Sequence, residues 1–258
     1  MTTPWPRCRD RRLARRACGP GRRRGVSPVR AVFAVVPRAA AVAVLPTPEE
    51  ADEDRRPTLW DRCDEGVLMV IVVRPASVFA DVATLVGPKR PDANVCWCIS
   101  YRVSSKENLS LLGPARGARV RELCAEDPPP GVIAYDGDEP VGWAAVHRRA
   151  DTSFARNRRI PHVDDLDVWS IWCLRVRPGY RGKGISHPLL DGAVAFARDH
   201  GAPAVEGYPV DNHGAKVDLT MAYVGTRALF ERAGFSWAAD TTSVLNGFPR
   251  VLMRRDLR

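Results

Sequence analysis

The chain has 258 residues, 45% hydrophobic and 27% charged, which suits one globular domain with a tail or two small domains and excludes disorder throughout. No uninterrupted apolar run reaches the roughly 18 residues of a spanning helix, because Pro37 and Arg38 split the best stretch, residues 31–45, so a soluble protein without membrane attachment is expected. The formal charge of +9 points to nucleic acid only until it is placed: residues 1–40 hold eleven arginines, no lysine and one aspartate, while the remainder carries 28 basic and 29 acidic side chains. Basicity is a property of an arm, and nucleic acid is not the expected partner of the core.

Residues 1–66 read as a basic, disordered N-terminal extension. Arginine clusters, prolines and alanines follow one another there with no sustained period, so little apolar surface offsets the cost of ordering. Arginines followed by residues 31–45 faintly imitate an export signal, but the apolar part is broken by proline and charge and lacks a clean small-residue cleavage site. An alternative reading places the native start near Met69.

The second expected domain, residues 67–258, opens with a continuous β-rich run over 67–73 that stops at Arg74-Pro75. A short helix over 77–86 is expected next, then a loop over 87–103 holding Cys96-Trp97-Cys98. Helical periodicity over 107–126 breaks at Gly113-Pro114 and ends at Pro128-Pro129-Pro130. Residues 131–135 and 140–147 flank Asp136-Gly137 and form a hairpin. An arginine-rich loop, 148–167, leads to a strand over 168–176. Residues 184–200 have helical spacing, with Leu189, Leu190, Val194 and Ala197 on one face and Gly201 as the stop. A strand over 204–208, a long loop, a helix over 224–233 and two strands near 235–241 and 248–254 complete a mixed α/β chain with one helix-connected parallel step.

Seven cysteines, at 8, 18, 63, 96, 98, 124 and 173, are odd in number and irregularly spaced, which fits a reducing compartment, the cytoplasm, better than a disulfide framework. Cys96 and Cys98 with Cys124 or Cys173 are a zinc alternative, but neither a C-x-x-C pair nor an H-x-x-x-H partner is present, and buried or pocket-lining thiols are the preferred reading. No metal is expected.

The sharpest chemical feature joins the strand over 168–176 to the following helix: Arg181-Gly182-Lys183-Gly184-Ile185-Ser186. Glycines let backbone N–H groups approach an anion closely. The helix dipole adds roughly half a positive charge, and Arg181 and Lys183 add whole ones, so the segment suits a phosphate or pyrophosphate. It is neither a Walker loop nor a Rossmann fingerprint.

This loop resembles the acetyl-CoA loop of the GNAT N-acetyltransferases, Gln/Arg-x-x-Gly-x-Gly/Ala, with Ser186 at the last small position. A second GNAT element, of the type Leu-Tyr-Glu-Lys-x-Gly-Phe, reads here Leu229-Phe230-Glu231-Arg232-Ala233-Gly234-Phe235. The resemblance covers about three quarters of the chain and implies the GNAT fold: a mixed central sheet whose splayed parallel strands are flanked by helices. It further implies that acetyl-CoA lies in the opening between those strands. Backbone groups of Leu174 and Val176 would hold the thioester carbonyl, and the pyrophosphate would rest on Arg181, Gly182, Lys183, Gly184, Ile185 and Ser186.

Acid and base depart from the family pattern, since Phe230 stands where many members have a proton-donating tyrosine. Glu206 is the first choice as base, because burial would raise its pKa into a useful range. Tyr208 and Tyr223 are alternative acids, and Ser170, Asp165 and Asp167 lie near the central strand. Against each stands the plain reading that loop aspartates are solvated and strand tyrosines pack, with a water relay in competition. Trp143, Trp169 and Trp172 suit core packing or an acceptor wall. His187 is expected to pack or meet phosphate, and the loop over 211–218 to shape acceptor choice. A covalent route through Cys173 lacks an evident base.

The expected function is direct acetyl transfer from acetyl-CoA to a primary amine of a small molecule or protein. Asp165, Asp167, Glu206 and Asp211 hint at a cationic acceptor, and a homodimer is left open. The alternatives are a catalytically silent CoA-binding regulatory module and a nucleic-acid-associated protein acting through its arginine-rich arm.

Overall fold

The computed structural model describes residues 69–90, 93–218 and 222–257. The expected extension, 1–66, and the start of the opening strand lie outside them. Seven strands form one sheet in the order β1-β2-β3-β4-β5-β7-β6. β1 (Ile71–Pro75), β2 (Gly131–Asp136), β3 (Glu139–Arg148) and β4 (Trp169–Val176) run antiparallel to their neighbours. β4 and β5 (Ala204–Gly207) are parallel, and β7 (Phe248–Asp256) pairs antiparallel with both β5 and β6 (Ser236–Leu245). This is the mixed α/β architecture expected, with the parallel step between β4 and β5.

Both faces of the sheet are covered, so alternate residues of one strand feed two different cores. Val132 and Ala134 of β2 face the helix α4 (Ser186–Asp199), which contributes Leu189, Leu190, Ala193, Val194 and Ala197. Ile133 and Tyr135 face the opposite layer, made by α1 (Phe79–Val86), α3 (Pro114–Ala125) and the segment around Trp97. A short helix, α2 (Ser105–Ser110), is capped by Ser104, whose hydroxyl accepts from the Glu107 amide at 3.1 Å. The expected break at Gly113-Pro114 separates α2 from α3.

Helix ends follow the glycines. At α4, the Gly201 amide donates to Arg198 and the Ala202 amide to Ala197, with Gly201 at φ +78°. At α5 (Arg227–Arg232), Gly234 and Phe235 donate to Glu231 and Phe230 in the same way. Both are Schellman closures, so Ala233-Gly234-Phe235 is a helix stop written into sequence. Three boundaries differ from expectation. α5 starts at Arg227 rather than 224, because Gly225 sits at φ +77° and Thr226 caps the helix through the Leu229 amide. The expected loop over 148–167 contains two single turns, Arg149–Asp151 and Ser153–Arg156. β6 reaches Leu245 because Asn246 and Gly247, both at positive φ, make a two-residue hairpin turn.

Two irregularities in β4 open the sheet at its centre. Ala145 pairs with Cys173 and Val146 with Ile171, so Trp172 is an extra residue bulged out of the β3–β4 ladder. The bulge breaks alternation: Trp169, Ile171 and Leu174 pack toward α4, whereas Trp172 and Cys173, consecutive in sequence, share the opposite face. The parallel pairing is also short. It covers Trp169 with Val205, Ser170 with Glu206 and Ile171 with Gly207, and then stops, while β4 stays paired to β3 as far as Val176. Strands β4 and β5 therefore part after Ile171.

Candidate active site

A buried ring fills the space beside the end of β5. Phe230 of α5 is fully buried, and a Cβ at Gly207 or Gly225 would collide with its ring. The residue that replaces the expected tyrosine therefore packs beneath the gap, where an apolar ring is at home. The segment Ala222–Val224 turns beside β4, in the space that a longer β5 would fill.

Above the ring lies a cleft of about 790 Å³. One wall is the free edge of β4. The Arg177 amide donates to the Val141 carbonyl of β3 at 2.9 Å. Counting back with the period of two, the amides of Arg175 and Cys173 also turn toward β3 and those of Val176 and Leu174 turn away from it, into the gap. Leu174 and Val176 both line the cleft.

The other end is the glycine loop. Gly182 and Gly184 have φ of +77° and +80°, a region costly for residues with a Cβ, and a Cβ at either would meet nothing within 4 Å. The loop thus presents bare backbone to open space. No side chain caps α4, and no amide from Arg181 to Ser186 donates to a described backbone carbonyl. Amides without a backbone partner at the positive end of a 14-residue helix are chemically suited to an anion. Tyr180 pins the loop to the β2–β3 hairpin by donating to Glu139 at 2.6 Å, and Arg181 folds back onto the Val176 carbonyl at 3.2 Å. Of the expected cofactor residues, Leu174, Val176, Arg181, Gly182, Gly184, Ile185 and Ser186 line the cleft. Lys183 does not: its ammonium lies over the Tyr180 ring, 4.9 Å from the centroid.

The expected acid–base residues divide. Tyr223 lines the cleft with Tyr101, and burial, reinforced by Tyr101, pushes its hydroxyl up to about 12. Glu206 and Tyr208 are not part of the lining. Glu206 is 1% exposed and accepts from Arg149 at 2.8 Å, with Arg254 at 3.6 Å and the Tyr208 hydroxyl at 3.2 Å. Tyr208 in turn meets the Ser170 hydroxyl at 2.8 Å. Burial does raise the Glu206 carboxyl, as expected, though Arg149 opposes the rise. The carboxylate sits beside Ser170, one strand pair below the point of divergence, inside a buried polar network.

Of the acidic residues expected to gather around a cationic acceptor, Asp165 is exposed and the other three are distributed among arginines. Asp211 pairs with Arg227, Asp167 with Arg148 and Glu206 with Arg149. No Asp or Glu among the described residues lines the cleft, whose charged lining groups are Arg175 and Arg181. Trp172 is a cleft wall, and its indole donates to the Cys98 carbonyl at 2.8 Å, whereas Trp143 and Trp169 pack in the two cores. His187 is packed between helices, bridging Asp191 of its own helix and the Arg232 carbonyl of α5. Cys96 and Cys98 line the cleft, as the pocket-lining reading of these thiols allows, and Tyr101 is a lining residue that pattern reading did not place. Its signal was the apolar cluster inside a loop, which is rare unless the loop folds back onto a core. No set of three or more His, Cys, Asp or Glu among the described residues is arranged to hold a metal ion.

Residues 101–235, more than half of the chain, match the model of the acetyltransferase (GNAT) family. No curated protein matches the chain. Among solved structures, it is similar to a NatC complex bound to Gag peptide and CoA, 19% identical over 73% of this chain and 99% of that one, with a TM-score of 0.42. Ard1 from Thermoplasma volcanium is 14% identical over 73% and 98%, with a TM-score of 0.42. The PaiA N-acetyltransferase from Thermoplasma acidophilum, in complex with coenzyme A, is 16% identical over 73% and 100%, with a TM-score of 0.43.

Proposed function

The chain belongs to the acetyltransferase (GNAT) family, and from that premise we propose that it transfers acetyl from acetyl-CoA directly to a primary amine of a small molecule or protein. The carrying observation is convergence: the amides of the glycine loop and the gap-facing amides of Leu174 and Val176 open on one cleft. Loop amides and Arg181 take the pyrophosphate. The β4 amides meet the thioester oxygen, where hydrogen-bond donors aimed at a developing oxyanion lower the barrier most.

Tyr223 is the proton donor to the departing thiolate, because it carries a hydroxyl into the cleft and keeps its proton at neutral pH. Glu206 is assigned to positioning rather than proton removal. Its carboxylate is held by Arg149 and lies outside the lining, so water in the cleft takes the proton of the amine. A reducing cytoplasm suits the four described cysteines, which are free thiols.

Thiol release from acetyl-CoA across a panel of amines tests the proposal. Turnover with at least one amine is expected, together with its loss in Gly184→Glu, which fills the anion site. Binding of CoA by calorimetry with no thiol release from any amine would favour a silent CoA-binding module instead. Glu206→Gln should lower kcat only a few-fold, whereas a general base would cost about 10²-fold or more.

A further inference from the structure

Sulfur gathers at the cleft wall for no purpose that acyl transfer supplies. Cys98 and Cys173, 75 positions apart in sequence, bring their Sγ atoms to 2.8 Å, and the Cys98 amide donates to Cys96 Sγ at 3.4 Å. The fold holds this contact from both sides. The bulge at Trp172 turns Cys173 toward the loop, and the Trp172 indole grips the Cys98 carbonyl. Trp97 and Cys98 take φ of +50° and +56°, conformations that residues with a Cβ occupy at a cost and keep only where their surroundings impose them. Cys98 and Cys173 are 7% and 3% exposed, and both line the cleft.

We propose that Cys98 and Cys173 are an oxidation site, forming a reversible disulfide in the cleft wall when hydrogen peroxide enters. The Cys173 thiolate attacks the O–O bond and takes one oxygen as a sulfenic acid, and the other oxygen leaves as hydroxide, which a proton converts to water. The Cys98 sulfur then displaces the sulfenic oxygen as a second water, forming S–S as S–O breaks. The two thiols lose two electrons and two protons, and the peroxide is reduced to two waters. Its hydrogen bond to Cys173 and its burial push the Cys98 thiol up, while the Cys96 sulfur opposes the rise. Closing 2.8 Å to a bond near 2 Å is a shift of under about 1 Å.

The test uses the reduced full-length chain, treated with hydrogen peroxide, alkylated and digested with trypsin. Peptide 90–102, carrying Cys96 and Cys98, should be recovered linked to peptide 160–175, carrying Cys173, and the link should vanish on reduction. Cys96→Ser should retain the link and Cys98→Ser should lose it; fragmentation of the linked pair from the unsubstituted chain assigns the sulfur independently of how the variants fold. Recovery of both peptides fully alkylated, or linkage through Cys96, overturns the proposal. Saturating acetyl-CoA, which has no free thiol to consume peroxide or reduce the link, should slow linkage several-fold, an expectation that rests on the cofactor reading. Linkage at an unchanged rate would leave the disulfide standing and count against that reading.

Discussion

Tyr223 and Glu206 show how one physical quantity, burial, leads to different chemistry according to partners. Both groups are pushed toward their protonated forms by desolvation. For Tyr223, at the cleft, that secures a proton donor across the working range. Tyr223→Phe should therefore lower kcat by about 10²-fold with little change in KM for acetyl-CoA, measured by steady-state thiol release. Because no described carboxylate lines the cleft, kcat/KM should rise with pH about tenfold per unit up to the acceptor's own amine pKa, and the break should move when the amine is changed. A break near pH 5 to 7 that ignores the amine would reveal a protein base. For Glu206 the same desolvation is a stability statement. A raised native pKa means that the folded chain holds this proton more tightly than the unfolded one. The contribution is complete at pH values below the ordinary carboxylate range and is lost as pH rises through the raised value. Glu206→Gln cannot titrate, so denaturant unfolding across that range should show a smaller fall in stability with rising pH than in the parent chain.

At the level of elements, the opening between β4 and β5 is made by omission, since β5 ends at Gly207 while β4 continues to Val176. The amides of Leu174 and Val176 should thus exchange hydrogen fast in the free protein and slowly with CoA bound, while that of Arg175, paired to β3, should stay protected in both. Equal protection of all three in the free chain would mean that the gap is closed. Phe230 fills the space beside the last paired residue of β5. Gly207→Ala places a methyl against its ring and should cost about 1–3 kcal/mol in denaturant unfolding, part of it recovered by adding Phe230→Leu, as expected for groups that compete for one space. These elements were unevenly legible. The strand before Arg181, the glycine loop and the stop at Gly201 could be read locally, because each rests on periodicity or on one backbone conformation. The bulge at Trp172 could not be, since only the register of β3 against β4 defines it. The lost start of α5 was in principle readable from Gly225-Thr226, a glycine turn followed by a capping residue.

Across the whole molecule, the sheet divides two cores, and the candidate site draws on both: the glycine loop packs with α4 on one side, while Tyr101, Trp172 and Cys173 belong to the other. Periodicity reports which residues are apolar but not which of two cores receives them. The cofactor end was therefore legible from a continuous segment, while the contact of Cys98 with Cys173 and the engagement of Glu206 by Arg149, 57 positions away, were not. Charge behaves in the opposite way, because it needs no contact to act. Eleven of the 39 basic residues lie in the first 40 positions and leave the remainder with a net charge of −1. Long-range attraction to a polyanion scales with net charge and is screened within roughly 10 Å at 0.1 M salt, whereas the cleft recognises its ligand by directed amides at contact distance. The two should separate cleanly. A chain lacking residues 1–40 should elute from a heparin or nucleic-acid column at markedly lower salt than the full chain, yet release thiol from acetyl-CoA at the same rate. Retention unchanged by the deletion would place the polyanion site on the folded body and revive a nucleic-acid role for it.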